Sequence, residues 1–130
     1  MKTTALLTCL TLAALPALGF AGTCTRADLT GTWHVYTVLD SSAARCTLVM
    51  PATGTTLSST SSCYLPEVVN STPLRGTITM TTDCHLSGTV NIGVKQRRID
   101  AWISKGKDSL SGMGWQVGDA SSGGVFSGVK

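Results

Sequence analysis

Through much of the chain, apolar and small polar residues change places at every second position. Leu74, Ile78 and Met80 alternate with Thr77, Thr79 and Thr81. Leu86, Val90, Ile92 and Val94 alternate with Ser87, Thr89, Asn91 and Gly93. Ile99, Ala101 and Ile103 oppose Arg98, Asp100 and Trp102. A period of two sorts side chains onto the two faces of an extended strand, whereas a helix would scatter them around its circumference. One apolar and one polar face is the pattern of half-buried antiparallel strands. The only helical signal is Thr25-Arg26-Ala27-Asp28, which fits one capped turn before the first strand. Without helices to serve as crossovers, parallel pairing is excluded and sequential strands should run up and down. Seven or eight strands are expected, closed into an antiparallel barrel that leaves no edge, with a two-sheet sandwich as the alternative.

Local punctuation supports this reading. Lys105-Gly106-Lys107-Asp108 reads as a turn and Gly118 to Gly124 as a longer loop. Near Gly112 the apolar parity shifts from Leu110 to Met113, Trp115 and Val117, which predicts a β-bulge there. Leu57-Ser58-Ser59, Leu86-Ser87-Gly88 and Leu110-Ser111-Gly112 form a weak repeat, each copy following a turn, as a meander of hairpins would produce.

The N-terminus has a different character. Lys2 precedes an apolar run from Ala5 to Leu18, shorter than the roughly 20 residues a membrane span needs. Gly19-Phe20-Ala21 then supplies a signal-peptidase pattern. Residues 1–21 are therefore expected to be a signal peptide and residues 22–130 a single domain, secreted or periplasmic, with no membrane span. Cys9 leaves with the leader; Cys24, Cys46, Cys63 and Cys84 remain and should form two disulfides. If Gly54-Thr55 is a two-residue hairpin turn, Cys46 lies opposite Cys63, close enough for a bond. Cys24 would then join Cys84, although two other connectivities remain open. No close C-x-x-C pair suggests a metal site.

The formal net charge is +3, and loss of Lys2 leaves too little positive charge to argue for nucleic acid. Lys95, Arg97 and Arg98 form the one basic cluster, read as a solvated turn. The seven acidic residues are scattered, mostly beside turns, and none pairs as general acid and base. His34 and His85 lack a third metal ligand and a nucleophile-elbow serine. No catalytic residues, cofactor or metal are expected.

Leu29-Thr30-Gly31-Thr32-Trp33 resembles the G-x-W start of lipocalins and, more closely, the L-T-G-x-W start of avidins. Ile99-Asp100-Ala101-Trp102-Ile103 and Phe126-Ser127-Gly128-Val129-Lys130 resemble the last two avidin strands. Cys46-Thr47-Leu48 and Cys63-Tyr64-Leu65-Pro66-Glu67 resemble, less closely, the cysteine segments of bacterial secreted metalloprotease inhibitors. These resemblances imply a small β-barrel, with Trp33, Trp102 and Trp115 lining or closing a ligand cavity. Val35, Thr37 and Leu39 depart from the polar residues that avidins place after the first tryptophan. The expected function is non-catalytic binding of a small apolar ligand or of a secreted protein such as a protease; a purely structural role is the alternative. An open interior would favour a ligand, and a filled one recognition by loops such as Pro66 to Pro73 or Ala120 to Gly124.

Overall fold

A computed structural model of the chain describes residues 22–130 apart from residue 69; the expected leader lies outside these residues. A short helix α1 (Arg26–Leu29) precedes eight strands: β1 (Gly31–Leu39), β2 (Ser42–Met50), β3 (Ser62–Tyr64), β4 (Thr72–Met80), β5 (His85–Ile92), β6 (Lys95–Ile103), β7 (Ser109–Gln116) and β8 (Asp119–Val129). Each strand pairs antiparallel with the next, and β8 returns to β1, so the sheet is a closed up-and-down barrel. The alternation along the strands sets which side chains enter the lumen: Trp33, Val35 and Thr37 on β1, Ala101 and Ile103 on β6.

Both disulfides form as expected, Cys24–Cys84 and Cys46–Cys63, an arrangement compatible with an oxidising compartment. Cys46 is the direct partner of Cys63 in the β2–β3 ladder. The connection is not the expected two-residue turn, however. Residues 51–61 make a longer excursion over the barrel end, burying Leu57 and Ser61. Leu57 N–H donates to the Gly76 carbonyl at 2.9 Å, and Val49 N–H donates to Ser61 Oγ at 2.9 Å. Arg45, Cys46 and Thr47 nevertheless face Tyr64, Cys63 and Ser62, the register a Gly54-Thr55 turn would give, so the pairing of the cysteines is unchanged.

Two other local expectations move. β7 keeps its alternation through Gly112, so Met113 faces solvent, and the register shift falls between Trp115 and Gln116. The segment from Gly118 to Gly124, expected as a loop, is drawn into β8 only in part as a ladder: Asp119 pairs with Gln116 and Gly123 with Trp115, and Ala120, Ser121 and Ser122 bulge between them. The bulged residues are ordered by local bonds: Ser121 N–H donates to Asp119 Oδ1 at 3.0 Å, Ser122 Oγ–H to the Asp119 carbonyl at 3.0 Å, and Gln116 N–H to Ser122 Oγ at 3.3 Å.

Glycines let the inner wall bend. A Cβ on Gly76 would lie 2.2 Å from the Thr89 carbonyl oxygen, and one on Gly88 2.1 Å from that of Thr77. β4 and β5 thus approach more closely than any side chain permits, as at a barrel corner.

Candidate functional site

The two ends of the barrel differ. At the end where β1 begins, α1 and residues 51–61 form a plug. The leucine of each repeat copy, Leu57, Leu86 and Leu110, is buried there together with Leu29, Trp33 and Met50. The repeat therefore marks the closed end. Trp33 Nε1–H donates to the Leu29 carbonyl at 2.8 Å, which satisfies its one polar group. Asp28 seals the rim: Thr25 N–H donates to its carboxylate at 2.7 Å and Lys107 Nζ at 3.0 Å. The Thr25 N–H first, and the Lys107 ammonium next, hold the Asp28 carboxyl below its ordinary range.

The opposite end is open. The β1–β2 hairpin turns through Asp40 and Ser41, both with positive φ (51° and 67°), a geometry that suits two-residue hairpins and that Asp tolerates. This tight turn holds the Asp40 carboxylate at the mouth. Arg97 reaches it from β6, where it shares the inward parity of Ile99 and Ala101. Its Nη2 donates to Asp40 Oδ2 at 2.6 Å. The Arg97 side chain is only 5% exposed, and its Nη1 has no hydrogen-bond partner among the described residues. The basic cluster read as a solvated turn is thus divided: Lys95 and Arg98 are exposed and Arg97 is interior. Parity was the signal for this, since Arg97 lies two positions before Ile99.

Arg97, with Thr37, Leu39 and Ile92, separates two spaces and lines both. Below is a void of about 70 Å³ among apolar side chains. Above is a cup of about 350 Å³, walled by Leu39, Leu65, Val68, Ile92 and Val94, with Glu67 and Lys95 at its side. Val94 is fully exposed and Val68 is 42% exposed. The barrel core is therefore mostly filled, and the larger space lies at its mouth.

The three tryptophans expected to share a ligand site do not meet. Trp33 belongs to the closed end, while Trp102 and Trp115 stand on the outer wall of β6 and β7. Of the two loops expected to carry recognition, the one from Pro66 to Pro73 contributes Glu67 and Val68 to the cup, while Ala120 to Gly124 lies outside it. On the outer wall the ladder aligns Tyr36, Ser127, Ser111 and Trp102 in one row. Tyr36 and Trp102 are 62% and 51% exposed and flank a groove of about 420 Å³ floored by the serines and Gly128. His85 packs on Trp102 with ring centroids 4.7 Å apart, and its Nε2 lies 3.1 Å from Asp100 Oδ1.

Among the described residues no helix is long and apolar enough to cross a membrane. Comparisons with protein-family models, curated proteins and solved structures give no match.

Proposed function

We propose that this chain is an exported, non-catalytic binding protein that takes a small molecule at the open end of its barrel. The observation that carries this reading is the asymmetry of the ends: one is plugged and hydrogen-bonded, while the other is an apolar cup with a single buried guanidinium at its floor. Binding pockets have this composition, mostly apolar with few polar groups. The avidin and lipocalin resemblances of the first strand fit a ligand-holding barrel, although the site lies away from the tryptophans those resemblances favour. The signal-peptide pattern and the paired disulfides support export to an extracellular or periplasmic setting.

Titration of the disulfide-bonded protein with n-hexanol, followed by amide NMR shifts, tests the location. Shifts should concentrate at Leu39, Ile92 and Val94. Shifts confined to Tyr36 and Trp102, or none, would remove the open end as the site.

A second reading is favoured by the exposed Tyr36 and Trp102 on the outer wall: recognition of a secreted protein through that face. It predicts that Trp102→Ala abolishes partner capture from the protein's own culture medium, while Arg97→Leu leaves it intact.

A further inference from the structure

We infer that the ligand of the open end is a small neutral acyl compound, a carbonyl on a short apolar chain, whose oxygen accepts a hydrogen bond from Arg97 Nη1. This rests on the open end being the binding site and names what that site selects. A guanidinium has five N–H donors, cannot accept and does not lose its proton. Asp40 takes a bond from Nη2, and Nη1 is left buried without an acceptor among the described residues. A buried donor left unpaired is costly, so the floor of the cup favours a ligand that brings an acceptor.

The charges around the cup decide which acceptor. Arg97 and Lys95 are balanced by Asp40 and Glu67, and no other charged residue lines it. A carboxylate would give up its hydration among Leu39, Leu65, Val68 and Ile92, beside an Asp40 carboxylate that already occupies the same guanidinium. An ammonium would face Arg97 and offer it no acceptor. A neutral carbonyl completes Nη1 and leaves the balance unchanged.

Size restricts the rest of the ligand. The cup of about 350 Å³ sits at the small end of the usual pocket range of ~300–1,000 Å³, and the void of about 70 Å³ beneath cannot hold a whole ligand. With the carbonyl on Arg97, a short chain lies against Val68 and Val94, two valines that otherwise face water.

The test compares three probes with one chain and different heads: hexanamide, hexanoate and hexylammonium. Each is titrated into the disulfide-bonded protein at neutral pH and followed by the Arg97 Nε–H and the amides of Leu39, Ile92 and Val94. Hexanamide should bind tightest, about tenfold or more over hexylammonium, the ratio expected when a hydrogen bond to a charged group is lost. Arg97→Leu should erase that preference. Asp40→Asn, which removes the competing charge without touching the donor, should move the preference to hexanoate. Tightest binding of hexanoate or hexylammonium to the unaltered protein would overturn the neutral acyl assignment. Equal binding of all three at the cup would also overturn it while leaving the open-end reading intact. No response at the cup to any of them or to n-hexanol would end both, leaving solvent as the partner of Nη1.

Discussion

The closed and open ends are made from the same strands, yet their polar groups are treated differently. At the closed end most cations and donors that meet the core edge have a partner close by; Arg26 is the exception, bonding the Pro51 carbonyl through Nη2 while its Nε and Nη1 are buried without a partner among the described residues. Trp33 Nε1 is bonded to Leu29, Lys107 to Asp28 and to the Thr23 carbonyl, and Lys130 Nζ to the Asp28 carbonyl. At the open end a guanidinium is buried with one arm paired and one arm free, beneath valines that face solvent. What sets Arg97 apart from Arg26 is its surroundings: Arg97 lines the cup and the void beneath it, whereas Arg26 lines neither. Burial with incomplete pairing raises the energy of the resting protein and can be repaid when something binds. The contrast teaches that stability should depend on the closed end and recognition on the open one.

The sharpest test of that contrast is Trp33→Ala. Trp33 is among the largest fully buried side chains, and its loss should cost about 3–5 kcal/mol. That is a large share of the roughly 5–15 kcal/mol available to a domain, so urea unfolding should show a much lower midpoint or no folded baseline. Next in size is the Cys24–Cys84 bond, which ties the N-terminal arm to the turn before β5 across a sequence separation of 60. Chain-entropy reasoning gives about 4 kcal/mol for a loop of this length and about 3 kcal/mol for the separation of 17 closed by Cys46–Cys63. Replacing each pair by serine and comparing urea midpoints should rank them in that order.

Acid gives a smaller effect at the same end. A carboxyl whose pKa is depressed on folding stabilises the protein above its unfolded pKa and loses that contribution as pH falls through the folded value. The Asp28 carboxyl is depressed below 3.8 by the Thr25 N–H and then Lys107. Asp28→Asn should therefore be less stable than the unaltered protein at pH 7, and the gap should close as pH falls below about 4. A gap that persists at pH 2 would mean that Asp28 acts through packing and not through its charge.

Much of this architecture was legible in the residues. Alternation at Leu86 to Ile92 and Ile99 to Ile103 identified strands because each needs only one buried face. The cysteine register was legible because Cys46 and Cys63 sit symmetrically about Gly54-Thr55. The shape of residues 51–61 was not legible: the repeat singled out Leu57, but its burial depends on tertiary contact over the barrel end. The start of β8 at Asp119 was only partly legible: Gly and Ser read as loop, and Ala120 to Ser122 do lack ladder partners, whereas Gly123 and Gly124 are paired by neighbouring strands. The cup was illegible for another reason. Arg97 carries the inward parity of its strand, but its charge and its basic neighbours favoured solvent, and Asp40, its partner, is 57 residues away. The avidin and lipocalin resemblances implied one site for the three tryptophans, whereas barrel parity sends Trp102 and Trp115 outward and Trp33 inward.

The smallest expected effect on stability falls on Arg97, and it separates the two ends most directly. Removing one partner of a buried ion pair is damaging when the remaining charge is trapped away from water. Asp40 is not trapped, since its side chain is 32% exposed at the mouth and can be hydrated. Leucine at position 97 would remove the unpaired Nη1 and extend the apolar wall formed by Leu39 and Ile92. Replacing buried ionic groups by hydrophobic ones of similar size is often neutral or stabilising. Arg97→Leu should therefore keep its unfolding free energy within about 1 kcal/mol of the unaltered protein, or exceed it, in urea titrations at pH 7. The same protein should lose its preference for hexanamide over hexylammonium. A loss of stability above about 3 kcal/mol, the scale of a charge stranded in the interior, would make Arg97 a brace across the lumen. Both ends would then be structural, and the functional distinction between them would disappear.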